Sequence, residues 1–458
     1  MDTENQKAKT RKLSTQEGAI ASVMVGISDS YIIPYALELK ATNLQVGLIS
    51  SLANLFGPMA QIFGSRLMEK TNRKKIVVAG VVAQASSWFL FIILGLIFLA
   101  QGPSFYLTPL VILAFVIYSL SGAIAGPAWF SLMGDVVPEK IRGKYFSRRT
   151  KFSTITSVTT TIISAFLLYY FSRINIIIGF LILFLTAAAA RYISAFLLNR
   201  HYVEEITLEK EYYFSFWQFI KEIPRLNFNR FALFTSLITL GANIAGPFFS
   251  VYMWKELHFN PIEFTAVNVA AGIFSFLFLP LWGKFADTYG NRETLRLAAI
   301  LVIPLPIFWL FGQSPIYLIL VPQLFSGLGW SAFNLATSNF IYDSIGQQRR
   351  GLVVAYYTLL NGIGIFIGAL LGGLIAQYAK VDFINIFFLI FIISSLSRLL
   401  AAVIMLPKIQ EVKNHYRPAN KNPLLYFKEI KSVYFNIINN FYPLDPEPFV
   451  SYFRRRKK

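Results

Sequence analysis

The sequence predicts an all-α integral membrane protein whose twelve transmembrane helices form two pseudo-symmetric six-helix bundles. Three observations carry this. Of 458 residues, 55% are hydrophobic and only 14% charged, against about 25% charged in soluble domains. Apolar runs recur along the whole length, each of roughly 18 or more residues and so long enough to cross a bilayer as a helix. The second half repeats features of the first at a nearly constant offset, as an internal duplication does.

The spans run near 19–39, 44–65, 76–99, 106–133, 151–171 and 174–198, then 229–254, 262–286, 296–312, 316–342, 351–378 and 383–406. Residues 1–18 form a polar, basic N-terminal tail. It lacks the apolar stretch and cleavage site of a removable signal peptide, so the first span is expected to persist. A polar linker, 199–228, separates the bundles 19–198 and 229–406; it holds Glu204, Glu205, Glu209 and Glu211 and an amphipathic piece, Phe214 to Ile223. In the tail, 407–458, Leu424, Phe427, Ile430, Val433 and Ile437 recur at helical spacing before Arg454–Lys458. An interfacial helix with a basic end and a loosely ordered tail both fit that pattern.

The connections alternate in charge. One set carries Lys7, Lys9, Arg11 and Lys12, then Arg66, Lys70, Arg73, Lys74 and Lys75, then Lys140, Arg142, Lys144, Arg148, Arg149 and Lys151. The other is nearly uncharged. Cations concentrate on cytoplasmic loops, so the basic set and both termini are expected in the cytoplasm, with the body in the cytoplasmic membrane. The net charge of +19 then points to anionic membrane lipids as partners and not to nucleic acid.

The duplication shows in several places. Asp135 to Arg142-Gly143 recurs as Asp343 to Arg350-Gly351, 208 residues later. Arg191 recurs as Arg398, and Phe219-Ile-Lys-Glu-Ile223 as Tyr426-Phe-Lys-Glu-Ile430, both 207 residues on. Pro34 has a looser counterpart in Pro247.

Much chemistry is excluded. There is no cysteine, hence no disulfide or thiolate site. His201, His258 and His415 sit in or near loops and tails, so no metal cluster or histidine relay is expected within the spans. No phosphate-binding Gly-x4-Gly-Lys-Ser/Thr loop and no Ser-His-Asp set occurs, which speaks against an ATP-driven pump, an enzyme or a bound cofactor.

Two loops carry a family resemblance. Gly283-Lys-Phe-Ala-Asp287-Thr-Tyr-Gly290-Asn-Arg292 follows span eight, and Ser65-Arg-Leu-Met-Glu69-Lys-Thr-Asn72-Arg73-Lys74 follows span two. Both resemble the Gly-x-x-x-Asp-Arg-x-Gly-Arg-Arg signature of the major facilitator superfamily. The first copy departs from it: Ser65 replaces Gly, Glu69 replaces Asp and Asn72 replaces Gly. Asn tolerates positive φ better than most residues, so a tight turn at Asn72 is expected. The resemblance covers about 19–406. It implies a secondary active transporter moving a small organic solute by alternating access, with gating acids and cations at the cytoplasmic helix ends: Glu69, Arg73, Asp135, Arg142, Asp287, Arg292, Asp343 and Arg350. Such groups can pair across the two halves to hold the inner mouth shut. The alternative is a non-transporting sensor or lipid-handling protein on the same scaffold.

Within the spans, Asp29 is costly unless it faces the bundle interior or water. It is a proton-coupling candidate, with another coupling ion, or a carboxyl merely hydrogen-bonded to Ser28 or Ser30, as the other readings. Arg191 and Arg398 are intramembrane charges expected to snorkel or to pair with Asp135 and Asp343, with contact to an anionic substrate as the other reading. A central cavity between the halves is expected to draw on Asn54, Gln84, Trp88, Trp129, Asn243, Asn268, Trp330, Asn334 and Asn361. Their mostly neutral, aromatic character suggests a neutral or amphipathic solute. Gly362, Gly364, Gly368, Gly372 and Gly373 in span eleven allow close packing and sliding. A monomer is expected.

Overall fold

Without water to satisfy a backbone, only helices can cross as single segments, and the long apolar runs fold accordingly. A computed structural model of the protein describes residues 3–68, 70–202, 216–345, 350–381 and 384–412, with the side chains of 3, 28, 29, 139, 140 and 350–352 excepted. The first half comprises α1 (Thr3–Glu38), α2 (Asn43–Leu67), α3 (Arg73–Gln101), α4 (Leu107–Val136), α5 (Glu139–Ser172) and α6 (Ile176–Asn199). After a short helix α7 (Phe216–Lys221), the second half comprises α8 (Asn227–Val251), α9 (Pro261–Tyr289), α10 (Asn291–Val302), α11 (Leu305–Phe308), α12 (Pro315–Leu318), α13 (Leu324–Ser344), α14 (Arg350–Tyr378) and α15 (Ile386–Met405). No strand occurs among the described residues.

Eleven of the described helical segments are long and apolar enough to span a bilayer. The remaining expected span, the ninth, 296–312, is broken into α10 and α11. Pro304 and Pro306 cause the break. Neither has an N–H to continue the ladder, and each ring crowds the preceding turn. Elsewhere the chain punctuates its helices as expected. Thr42 and Gln45 form a capping box at α2, and Asn260 and Glu263 form another at α9. Short π-helical turns, Tyr252–Glu256 and Ile319–Gln323, extend α8 and join α12 to α13.

Two expectations change. Helix α1 begins at Thr3, so residues 3–18 of the expected tail are its first turns; Thr10, Ser14 and Glu17 are buried against the bundle. The Asp135–Gly143 break narrows to Val137–Pro138, because α5 already starts at Glu139. The interfacial stretch 424–438, its echo of Phe219–Ile223 and the basic end Arg454–Lys458 lie outside the described residues.

In the first half α1 packs on α5 and α6, α3 on α4 and α6, and α2 on α4; in the second, α8 packs on α14 and α15, and α13 on α9 and α10. The halves meet along α2 with α14 and α5 with α9. Large apolar side chains such as Phe63, Phe166, Phe276 and Leu400 point outward and are more than half exposed, the surface that lipid tails cover. Since lipid is as apolar as leucine, close van der Waals packing must hold the helices together. Helix α14 supplies it on two sides. A Cβ at Gly362 would strike the Asn54 carbonyl of α2, and one at Gly364, Gly368 or Gly372 the Ser236, Leu240 or Ile244 carbonyl of α8.

Candidate functional site

The polar side chains gather at four levels. The first is the basic end, where both halves place their loop signatures. Asp135 lies in the last turn of α4, where the helix dipole disfavours a carboxylate. Arg73, at the start of α3, offsets this. Its guanidinium lies 2.8 Å from the Asp135 carboxylate and donates to Ser131 Oγ at 2.7 Å. In the second half Asn291 stands where Arg73 stands in the first, and donates to Asp343 Oδ2 at 2.9 Å. Both contacts join elements of one half. The Arg292 N–H, at the start of α10, donates to Glu411 Oε2 at 2.7 Å; Glu411 was not legible as a cap because it follows the last span. Asp287 and Arg142 are exposed on helix ends, and Arg142 reaches the Gly134 carbonyl at 3.5 Å. Glu69 and the Arg350 side chain lie outside the described residues. The turn at Asn72 is a correction. Its φ is −56°, and it caps α3 by accepting from the Lys74 N–H, while Gly290 adopts φ 92°.

The second level is a buried charge cluster inside the first half. Glu17 of α1, 3% exposed, accepts from Arg149 at 2.9 Å and from Ser194 Oγ at 2.8 Å, and lies 3.8 Å from Arg191. Arg191 also donates to Gln84 Oε1 at 2.8 Å. Arg149 stacks over the Trp129 ring, 4.4 Å to its centroid. The expected pairing of Arg191 with Asp135 is therefore replaced. Glu17 is the nearer acid because α1 packs on α5 and α6, whereas Asp135 is engaged by Arg73. Arg398 does not pair with Asp343 either; it donates to the Val302 carbonyl at 2.7 Å and to Ser394 Oγ at 3.1 Å.

The third level is a cavity of about 450 Å³ lined by α8, α13, α14 and α15. Asn243, Trp330 and Asn334 face it, with Thr239, Tyr357 and Arg398. Asn361 stands behind Thr239, whose hydroxyl donates to it at 3.2 Å. This cavity lies within the second half. Gln84 and Trp129 belong to the charge cluster. Trp88 is fully buried among Phe91, Tyr118 and Phe184. Asn54 and Asn268 donate to carbonyls of their own helices. A sequence lists polar residues but not the face each helix turns inward. Asp29 lies on α1, and its side chain is outside the described residues.

The fourth level is the end opposite the basic loops, which the sequence reading missed. Here the halves are tied. Trp254 Nε1 donates to Glu38 at 2.8 Å, Lys255 Nζ to the Ala41 carbonyl at 3.2 Å, and Asn43 to the Ala376 carbonyl at 3.2 Å. Deeper in, the Tyr31 and Thr265 hydroxyls meet at 2.8 Å.

A duplicated helical membrane body with a polar internal cavity and loop signatures at corresponding helix ends defines a membrane transporter of the two-bundle type. The chain belongs to the Major Facilitator Superfamily, whose family model matches residues 18–228 and 231–456. It is 20% identical over 345 residues to the quinolone resistance protein NorA of Staphylococcus aureus, covering 74% of this chain and 82% of that one. A transporter of Schizosaccharomyces pombe is 31% identical over 121 residues, covering 25% of this chain; the match spans only 21% of that protein. Among solved structures, the nucleoside transporter NupG superposes with a TM-score of 0.66 at 14% identity, covering 87% of this chain and 98% of that one. A bacterial homologue of the iron transporter ferroportin gives 0.64 at 17%, covering 87% and 98%.

Proposed function

We propose that this transporter carries a small organic solute across the cytoplasmic membrane by alternating access, with the basic end and both termini in the cytoplasm. The carrying observation is a polar cavity within the second half together with cross-half bonds at the end opposite the basic loops, Trp254 to Glu38 and Asn43 to Ala376. A solute held in the cavity is released when the halves rock and those ties exchange for contacts at the basic end. Arg73, Asp135, Arg292 and Asp343 are the gating groups there, with Glu69, Arg142, Asp287 and Arg350. Asp29 couples the cycle to protons, and anionic inner-leaflet lipids engage the basic loops. The protein works as a monomer.

Counterflow of labelled solutes in proteoliposomes tests the transport reading; binding without counterflow for every bound solute would overturn it. For coupling, Asp29→Asn is expected to abolish the pH dependence of uptake or efflux while the protein stays in the membrane. Unchanged pH dependence in that variant makes Asp29 structural.

A further inference from the structure

Arg398 is 2% exposed and lies in the middle of α15, in the apolar depth of the bundle. A buried guanidinium without a counter-ion costs several kcal/mol. Its two partners, the Val302 carbonyl and Ser394 Oγ, are both neutral, so two of its five donors are used and, among the described residues, none meets a carboxylate. Its Nε is buried without an acceptor among the described residues. The first half shows the contrast. Arg191, at the equivalent position 207 residues earlier, has Glu17 within 3.8 Å. The same offset from Glu17 falls on Pro224, which carries no charge.

One role for Arg398 is plain. Pro306 has no N–H to offer the Val302 carbonyl, four residues earlier, and Arg398 donates to it instead. Capping a carbonyl needs one donor, and a neutral amide would serve. It leaves the charge and the remaining donors unexplained. Arg398 also forms part of the cavity wall, together with Asn243, Asn334, Thr337 and Tyr357, and among the described residues none that lines it is acidic. Gly241 keeps α8 close to the same side chain: a Cβ there would lie 2.9 Å from Arg398 Cγ.

From the uncompensated charge on the cavity wall we infer that the cavity takes a solute bearing an anionic group, a carboxylate, sulfonate or phosphate monoester, whose counter-charge is Arg398. The solute body then packs on Trp330, Phe333 and Phe249, and the amides of Asn243 and Asn334 complete the anion's hydrogen bonds. This departs from the neutral solute that the cavity's amides and aromatics suggest in the sequence. It rests on the transport reading for its biology but not for its binding.

The test is thermal unfolding of the purified full chain against carboxylates, sulfonates and phosphate monoesters with acyl, aryl and sugar bodies, each matched with its neutral amide or alcohol. At least one anion is expected to stabilise the wild type with an affinity about tenfold or more above its neutral match. Arg398→Lys is expected to keep this preference and Arg398→Gln to lose it. Should Arg398→Gln fail to fold, Asn334→Asp supplies an internal anion across the cavity and is expected to abolish anion binding in a folded protein. No anion preferred over its neutral match, or preference unchanged in Arg398→Gln or Asn334→Asp, overturns the inference. Anion binding that depends on Arg398 without counterflow of the same solute overturns the transport reading alone.

Discussion

Replacing Glu17 by Gln removes one charge from the centre of the first half. Glu17 is 3% exposed, with Arg149 at 2.9 Å and Arg191 at 3.8 Å. Removing one partner of a buried ion pair typically costs about 3–5 kcal/mol, because the other charge stays buried and unpaired. The Gln carbonyl can still accept one of the bonds from Arg149 or Ser194, returning roughly 1 kcal/mol. Arg191 keeps Gln84 and Ser194. The expected net loss is about 2–4 kcal/mol. Reversible unfolding by sodium dodecyl sulfate in mixed micelles, followed by circular dichroism, measures it. A double-mutant cycle with Arg149→Gln is expected to give a coupling energy of about 1–3 kcal/mol. A loss below about 1 kcal/mol together with coupling indistinguishable from zero would mean that the cluster is solvated and the reasoning wrong.

Further outcomes follow from the same geometry. His201, buried beside Lys74 and just past α6, is pushed down to about 4, chiefly by burial, with Lys74 and Arg149 adding to it against Glu17. The folded state therefore binds this proton less readily than the unfolded state. Its stability contribution is complete above about pH 6.5 and declines as pH falls toward 4; this slope, on the order of 1–3 kcal/mol in total, should vanish in His201→Gln. Trp254→Phe removes the tie to Glu38 and should shift the halves about tenfold toward opening at that end. The absence of cysteine lets spin labels at Gln101→Cys and Lys380→Cys report it as a longer distance population. Gly368→Val should force α14 off α8 against the Leu240 carbonyl, an overpacking of 1–3 kcal/mol or more, read as lost folded yield.

The architecture was legible because lipid imposes a length rule, and eleven of the twelve expected spans are continuous helical segments that obey it. The exception, 296–312, contains Pro304 and Pro306, and an apolar run says nothing of a break within it. Glu17 was hidden in a stretch that reads as a polar tail, and its partner Arg149 lies 132 residues away. Pairing at that range depends on helix rotation, which composition does not encode. The same limit misplaced Trp88, whose indole looks like a ligand contact in sequence but fills the first half's aromatic core. At the mirrored loops Asn291 stands in the place of Arg73, so that position gives Asp343 a hydrogen bond where the first half has an ion pair.

Helix α14 belongs to the second half by sequence, yet one flank bears on α2 and the other on α8, with glycine on both. At these glycines the flanks carry no side chains to interlock, so this stretch of the helix behaves as a bearing journal running between two shells. Its tolerance is set by the thickness of a peptide backbone. Any added methyl group acts there as grit, whatever solute is being carried. Evolution toward a new cargo is therefore free to rewrite the cavity wall on the neighbouring helices, while the bearing admits almost no change.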